Sequence, residues 1–220
     1  MGQDPSTIVV STFLPRPIAG YRKIGRITFK GVPYSLLLND GSWDEKLNYS
    51  TTEYALTPPT GPKQDVLHSV GTKEISWRLS GILSQETFGL TNFLKPENRG
   101  VKVDEILIQQ GEFLERITDA WWTNFTLQAA QNSNIQFNLE GVSTAEVTAG
   151  SPVLRNSLQH PMPSWATGNQ YLTAWSLGHS VPLDPSWSND DKRLPQYYRP
   201  GSSKWSISLT SAIALQQHNT

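Results

Sequence analysis

The chain has no cysteine among its 220 residues. Neither a disulfide nor a thiolate-bound zinc can staple it, so its stability has to come from packing. Net charge is equally scarce: 18 Lys and Arg nearly cancel 19 Asp and Glu, leaving −1. No basic field exists to hold a nucleic acid by its phosphates, which argues against sequence-specific nucleic-acid binding. There is no run of about 18 apolar residues, and the N-terminus lacks the basic start and apolar centre of a secretory signal. These absences predict a soluble chain, made in a cytoplasm, with no membrane span. A phosphate-cradling glycine loop, HExxH, GxSxG and an EF-hand loop are all missing as well. The near-zero charge removes the usual defence against self-association, which suits a protein that packs against its own copies.

What the chain does contain is one short phrase written three times. Glu74-Ile-Ser-Trp-Arg-Leu-Ser-Gly-Ile82, Asn134-Ile-Gln-Phe-Asn-Leu-Glu-Gly-Val142 and Lys204-Trp-Ser-Ile-Ser-Leu-Thr-Ser-Ala212 all alternate apolar and polar residues. Each reads as a period-two strand. Ile75, Trp77 and Leu79 share one face of the first copy. Ile135, Phe137 and Leu139 fill the same slots in the second, and Trp205, Ile207 and Leu209 in the third. The copies share no polar residue able to do chemistry, so the repetition is architectural.

Around these copies the chain punctuates itself. Residues 1 to 20, with Pro15 and Pro17, read as an extended arm. Tyr21 to Phe29 and Val32 to Leu38 flank Lys30-Gly31, the signal of a tight hairpin. Asn39-Asp40-Gly41-Ser42 reads as a turn, and the Pro-rich stretch 57 to 62 closes an N-terminal module. The expected organisation is therefore an arm and β-hairpin module over 1–62 followed by a β domain over 63–220. After Ser84, a good N-cap, Gln85 to Leu94 has the spacing of one short helix ending at Pro96. Val103 to Ile108 and Glu112 to Ile117 form a second hairpin about Gln109 to Gly111. Ala120 to Leu127 alternates Trp121, Thr123, Phe125 and Leu127 against Trp122, Asn124 and Thr126, and should pair with the second copy. A Pro-rich crossover over 150 to 170, a strand at Gln170 to Gly178 and a long loop from Val181 to Gly201 lead to the third copy. The fold class this predicts is mainly β, an antiparallel β-sandwich or open barrel with one short helix.

The candidate chemical groups are sparse. His68, His160, His179 and His218 are scattered with no second ligand at metal spacing, and His179 with Asp184 and Asp190 is the nearest approach to a polar cluster. Asp104, Glu105, Glu112 and Glu115 sit in a hairpin whose edge is solvated, with Lys102 and Arg116 as partners, although paired carboxylates could serve a glycosidase. No catalytic residue, cofactor site or metal site is assigned, and the chain reads as a non-enzyme. Among its eight tryptophans, those in strands read as core or intersubunit packing. The loop aromatics Trp43, Trp165, Trp187, Tyr197 and Tyr198 suit an alternative, a sugar-binding β-sandwich.

The order Ser-Trp-Arg-Leu-Ser-Gly-Ile-Leu at 76 to 83, a short helix, a hairpin, Ala-Trp-Trp-Thr-Asn-Phe-Thr-Leu at 120 to 127 and the second copy at 134 to 142 resembles the tail-tube fold of tailed bacteriophages. That superfamily also includes distal-tail and baseplate-hub rings and the inner tubes of contractile injection systems, and the likeness covers residues 70 to 215. The resemblance implies a virion tail protein, forming homo-oligomeric stacked rings, hexameric as the first expectation, that enclose a channel for DNA passage without sequence specificity. It implies partners in further copies and in adjacent tail or baseplate proteins. Trp77, Glu112, Phe113, Trp122 and Trp175 are the candidate intersubunit residues. The hairpin at 103 to 117 and the loops at 57 to 69 and 182 to 201 are the candidate stacking contacts.

Overall fold

The computed structural model describes residues 23–53, 66–151, 153–155, 159–163, 172–187 and 193–211. The predicted arm, the Pro-rich stretch at 57–62, Trp165, Asp190 and His218 lie outside them. The chain is mainly β and antiparallel throughout, as its alternation requires. Strand β1 (Lys23–Phe29) turns through Lys30 and Gly31 into β2 (Val32–Glu53). Both turn residues have positive φ, 51° and 74°, the backbone of the tight turn that matches the right-handed twist of a hairpin. β3 (Val66–Ile82) carries the first repeat, and β6 (Gln136–Ser143) most of the second. β4 (Lys102–Gln110) and β5 (Phe113–Ala130) make the second hairpin, turning at Gly111 and Glu112. The short β7 (Thr148–Gly150) lies along the start of β5. β8 (Leu172–Ser180) and β11 (Lys204–Ser211) complete the main sheet.

The pairing path closes on itself. β4 pairs with β1, β1 with β2, β2 with β3, β3 with β6, β6 with β5, and β5 again with β4. A sheet closed this way has no edge where each strand is paired on both sides, and it turns one face inward. Ile27, Phe29, Leu36, Trp77, Leu79, Ile106, Ile117, Trp122, Phe125 and Leu139 fill the interior. β4 covers β5 only along Phe113 to Trp121, and β8 takes the same side of β5 from Asn124 to Ala130. β8 and β11 thus leave the ring as a two-stranded wing.

Four sequence expectations change in the structure. Asn39-Asp40-Gly41 is not a turn: β2 runs straight through it, and a register shift between Leu38 and Asp40 absorbs the extra residue as a β-bulge. The alternation over Ala120 to Leu127 breaks at Thr123, where the register slips between Trp122 and Asn124. The bulge turns Trp122 inward with Phe125, although their spacing is odd, and leaves Trp121 half-buried on the other face. The helix is a 3-10 helix at Phe88–Leu94, followed by a second 3-10 turn at Pro96–Asn98. Ser84 and Thr87 brace its entry, since the Thr87 N–H donates to Ser84 Oγ at 3.2 Å and the Ser84 N–H to Thr87 Oγ1 at 2.9 Å. The loop from Val181 to Gly201 contains a small hairpin, β9 (Leu183–Ser186) with β10 (Tyr197–Pro200).

Two glycines fix the close approaches inside the ring. A Cβ at Gly141 would collide with the Trp121 carbonyl and the Trp77 ring. At Gly81 it would collide with the Leu37 carbonyl. The glycine in the first two repeats is the space into which neighbouring backbone and Trp77 pack.

Candidate functional site

The sheet rows run from β2 to β11 through β3, β6, β5 and β8. One inward row reads Gly41, Leu79, Leu139, Phe125, His179, Trp205, and the next reads Leu38, Gly81, Phe137, Leu127, Leu177, Ile207. Directly opposed residues share a face, so the apolar surface that lines the core continues without interruption onto the wing. On β11 nothing covers it among the described residues. Trp205 is 46% exposed, Ile207 72% and Leu209 68%. The third repeat thus has the alternation of the first two without their burial.

The far side of β11 is also unpaired. Its strand stands last in the sheet order, and among the described residues no strand takes its outer N–H and C=O groups. Natural edge strands guard themselves with proline, inward charge or shortness. Lys204–Ser211 has none of these inside its apolar stretch. A second bare edge lies on β2, where β1 covers only Val32 to Leu38 and no described strand pairs with the same side of Asn39 onward. There Lys23 Nζ donates to the Gly41 carbonyl at 2.6 Å and sits 3.3 Å from Asp40, a lysine guard on that edge.

Trp205 anchors the wing. Its indole stacks on the His179 imidazole with centroids 4.2 Å apart and planes 11° apart. His179, which sequence reasoning placed in a loop beside Asp184, lies in β8 and is fully buried. Its other neighbour is Trp122, edge-on at 5.0 Å, and its Nδ1 is 2.7 Å from the Phe93 carbonyl. That contact seats the wing on the 3-10 helix. Asp184 is exposed on β9 and makes no cluster with it.

The remaining candidates separate into two groups. Trp77 and Trp122 are buried in the chain's own core, their indole N–H groups donating to the Val142 carbonyl at 3.1 Å and the Asn98 carbonyl at 3.2 Å. They offer no surface in the single chain; for Trp122 the odd spacing created by the Thr123 bulge concealed this. Trp175 is half-buried, in the row between Ala129 and Leu209, and so borders the bare wing face. Glu112 and Phe113 lie at the tip of the β4–β5 hairpin, with Phe113 79% exposed beside a recess lined by Lys23, Gly41, Ile108 and Glu115. The structure brings Trp175 to the wing and puts Phe113 at a separate tip. The sequence reading left Trp205, like the other strand tryptophans, as core or intersubunit packing and did not single out Trp205, Ile207 and Leu209 as exposed.

Two of the four hairpin carboxylates, Asp104 and Glu105, are engaged in ordinary contacts. Arg116 Nε lies 2.7 Å and Arg26 3.5 Å from Glu105, Asp104 accepts the Gly31 N–H at 2.8 Å, and Lys102 pairs with Asp119 at 3.0 Å. Among the described residues no three His, Asp or Glu side chains converge as a metal site, and no helix is long and apolar enough to cross a membrane. Of the loop aromatics, Tyr198 is buried and its hydroxyl is pushed up to about 12, by burial first and by Glu74 second. Trp187 and Tyr197 are exposed.

No family model matches the chain, and no curated protein does. Among solved structures it is similar to one described as the sheath-tube complex of an extracellular contractile injection system in its extended state. The two share 16% sequence identity with a TM-score of 0.42, over 68% of this chain and 100% of the other.

Proposed function

We propose that this chain is a non-enzymatic structural protein that assembles with copies of itself, as the ring of a phage-tail-type tube or of a tube end. The observation that supports this reading is the β11 wing. An apolar face continuous with the core reaches solvent there at Trp205, Ile207 and Leu209, on a strand whose outer hydrogen-bonding groups are also free among the described residues. Each large side chain left bare forgoes roughly 1.5–3 kcal/mol of burial. A sheet that ends in such a strand is completed by another chain, and in a ring every copy completes the next. In this reading the opposite face, with Ser176, Gly178 and Ser180 on β8 and Ser206, Ser208 and Thr210 on β11, lines the channel through which DNA passes. Adjacent tail or baseplate proteins cap the rings, with the Phe113 hairpin tip as a stacking contact. Hexameric closure follows from the resemblance to tail tubes.

The test is association against concentration for the native chain and for Ile207→Lys. Multi-angle light scattering should report a mass that rises with concentration for the native chain and a monomer for the variant, with the same circular dichroism. A monomeric native chain that binds oligosaccharide, with a shift in tryptophan emission, would replace this reading with the sugar-binding one.

A further inference from the structure

The wing of one copy has to meet something on the next, and the structure offers two candidates: the wing itself, in a two-fold dimer, or the bare edge of β2. We infer that β11 of one copy pairs antiparallel with the β2 edge at Asp40–Asp44 of a second copy. This inference rests on the self-association reading and deepens it by naming the partner surface.

The first argument is directional. From β2 through β3, β6, β5 and β8 to β11 every neighbour is antiparallel, so β2 and β11 run in opposite directions within one sheet. Copies related by rotation about an axis along the strands keep their directions, so β11 meets the next β2 antiparallel, the stronger of the two pairings. The same step can repeat indefinitely or close, as head-to-tail contacts do.

The second argument is chemical. β11 carries one charge, Lys204, and no carboxylate, so a β11–β11 dimer gives that ammonium no partner. On the β2 edge Asp40 is met by Lys23 and Glu45 by Lys73, which leaves Asp44 as the carboxylate with no ion pair among the described residues. Side-chain faces must also match, which restricts the register to steps of two residues. One such register sets Lys204 opposite Asp44, Trp205 opposite Trp43, Ser206 opposite Ser42 and Ile207 opposite Gly41. It pairs opposite charges on the polar face and two indoles on the apolar face, and it sets Ile207 beside the apolar side chains of Leu38 and Ile108 that pack over Gly41. Asp44 and Ser42 are exposed and Trp43 half-buried, so all are open to a neighbour. Pairing frees both edges of unmet hydrogen bonds, whereas a β11 dimer leaves β2 bare. Lys23 must release the Gly41 carbonyl, a small cost for a flexible side chain.

The chain's lack of cysteine makes the test clean. Opposed residues of an antiparallel pair have Cα atoms about 4.5–5.5 Å apart, within disulfide reach. Under mild oxidation, Ser42→Cys mixed with Ser206→Cys should give a cross-linked dimer, the double variant a ladder of multimers, and neither single variant alone a cross-link. As a check independent of thiols, Asp44→Lys should weaken association about two- to fivefold and Lys204→Asp added to it should restore the native value. Cross-linking of Ser206→Cys with itself would overturn the inference in favour of a β11 dimer while leaving self-association standing. Association without any cross-link and without charge-swap rescue would place the contact elsewhere and overturn it too. A native chain that stays monomeric by light scattering would overturn both this inference and the function it rests on.

Discussion

At the scale of single residues, Trp122 shows how a side chain's role depends on one inserted neighbour. Thr123 is the extra residue of the bulge, and its hydroxyl donates to the Glu140 carbonyl at 3.2 Å while its own carbonyl accepts the Val181 N–H at 2.7 Å. That pins the kink which turns Trp122 into the core, against Phe93 and His179. Trp122→Ala should cost about 3–5 kcal/mol, read as a lower urea midpoint with unchanged slope. A loss below about 1 kcal/mol would mean the indole is not packed as described. Gly141→Ala should be at least as damaging, because its Cβ has only the Trp121 backbone and the Trp77 ring to move into. Soluble, fully folded Gly141→Ala protein would contradict that packing.

Glu86 carries the pH-dependent prediction. Its carboxylate accepts the His160 backbone N–H at 3.0 Å and pairs with the His160 ring. The His160 side chain first, and its backbone N–H second, hold the carboxyl down from 4.5 to about 2. A depressed folded value stabilises above the unfolded value and is lost as pH falls through the folded one. The tie between the 3-10 helix entry and residues 159–163 should therefore hold above pH 4.5 and release between 4.5 and about 2. Amide exchange of that segment, normalised for its intrinsic pH dependence, should quicken across this window in the native chain and show no such step in Glu86→Gln. Equal profiles for the two would remove the role given to this pair.

Elements divide into those whose partners lie nearby in pattern and those decided elsewhere. The first two repeats were legible as strands because alternation of large apolar and small polar residues has only one use in a half-wet sheet, and Ile75, Trp77, Leu79, Phe137 and Leu139 are buried accordingly. The Lys30-Gly31 turn was legible from its chemistry. Asparagine accepts the left-handed backbone at φ 51° more readily than lysine does, so Lys30→Asn is expected to raise stability by about 0.5–1 kcal/mol in thermal unfolding. No gain, or a loss, would argue against that turn geometry. Other features were not legible. Turn-forming residues at Asn39 to Gly41 serve equally well in a bulge, and only the long pairing with β3 decides between the two. A 3-10 helix and a short α-helix share their signals over seven residues. The small β9–β10 hairpin hides among prolines, at edge positions where a missing N–H does no harm.

For the molecule as a whole, alternation in β11 tells which side chains share a face and nothing about what covers them. That is why the third repeat looks like the first two in the sequence and stands bare in the single chain. Of the sequence candidates, Trp77 and Trp122 are interior in the single chain, and the open face is held by Trp205, Ile207 and Leu209. The ring of strands explains the difference, since six closed strands consume the first two repeats and leave the wing outside. Surface substitution at Leu209→Ser should change the unfolding free energy of the monomer by no more than about 0.5 kcal/mol, measured below the association range, because the side chain is already wet. A large loss there would mean the face is covered within the chain itself.

The central claim is that the wing is completed by another copy. The most direct measurement is mass by light scattering after size exclusion over a concentration series, with negative-stain images of the largest species, for the native chain beside Ile207→Lys. The account predicts rings or stacked rings for the native chain and a folded monomer for the variant. A native chain that remains a monomer at every concentration would contradict it.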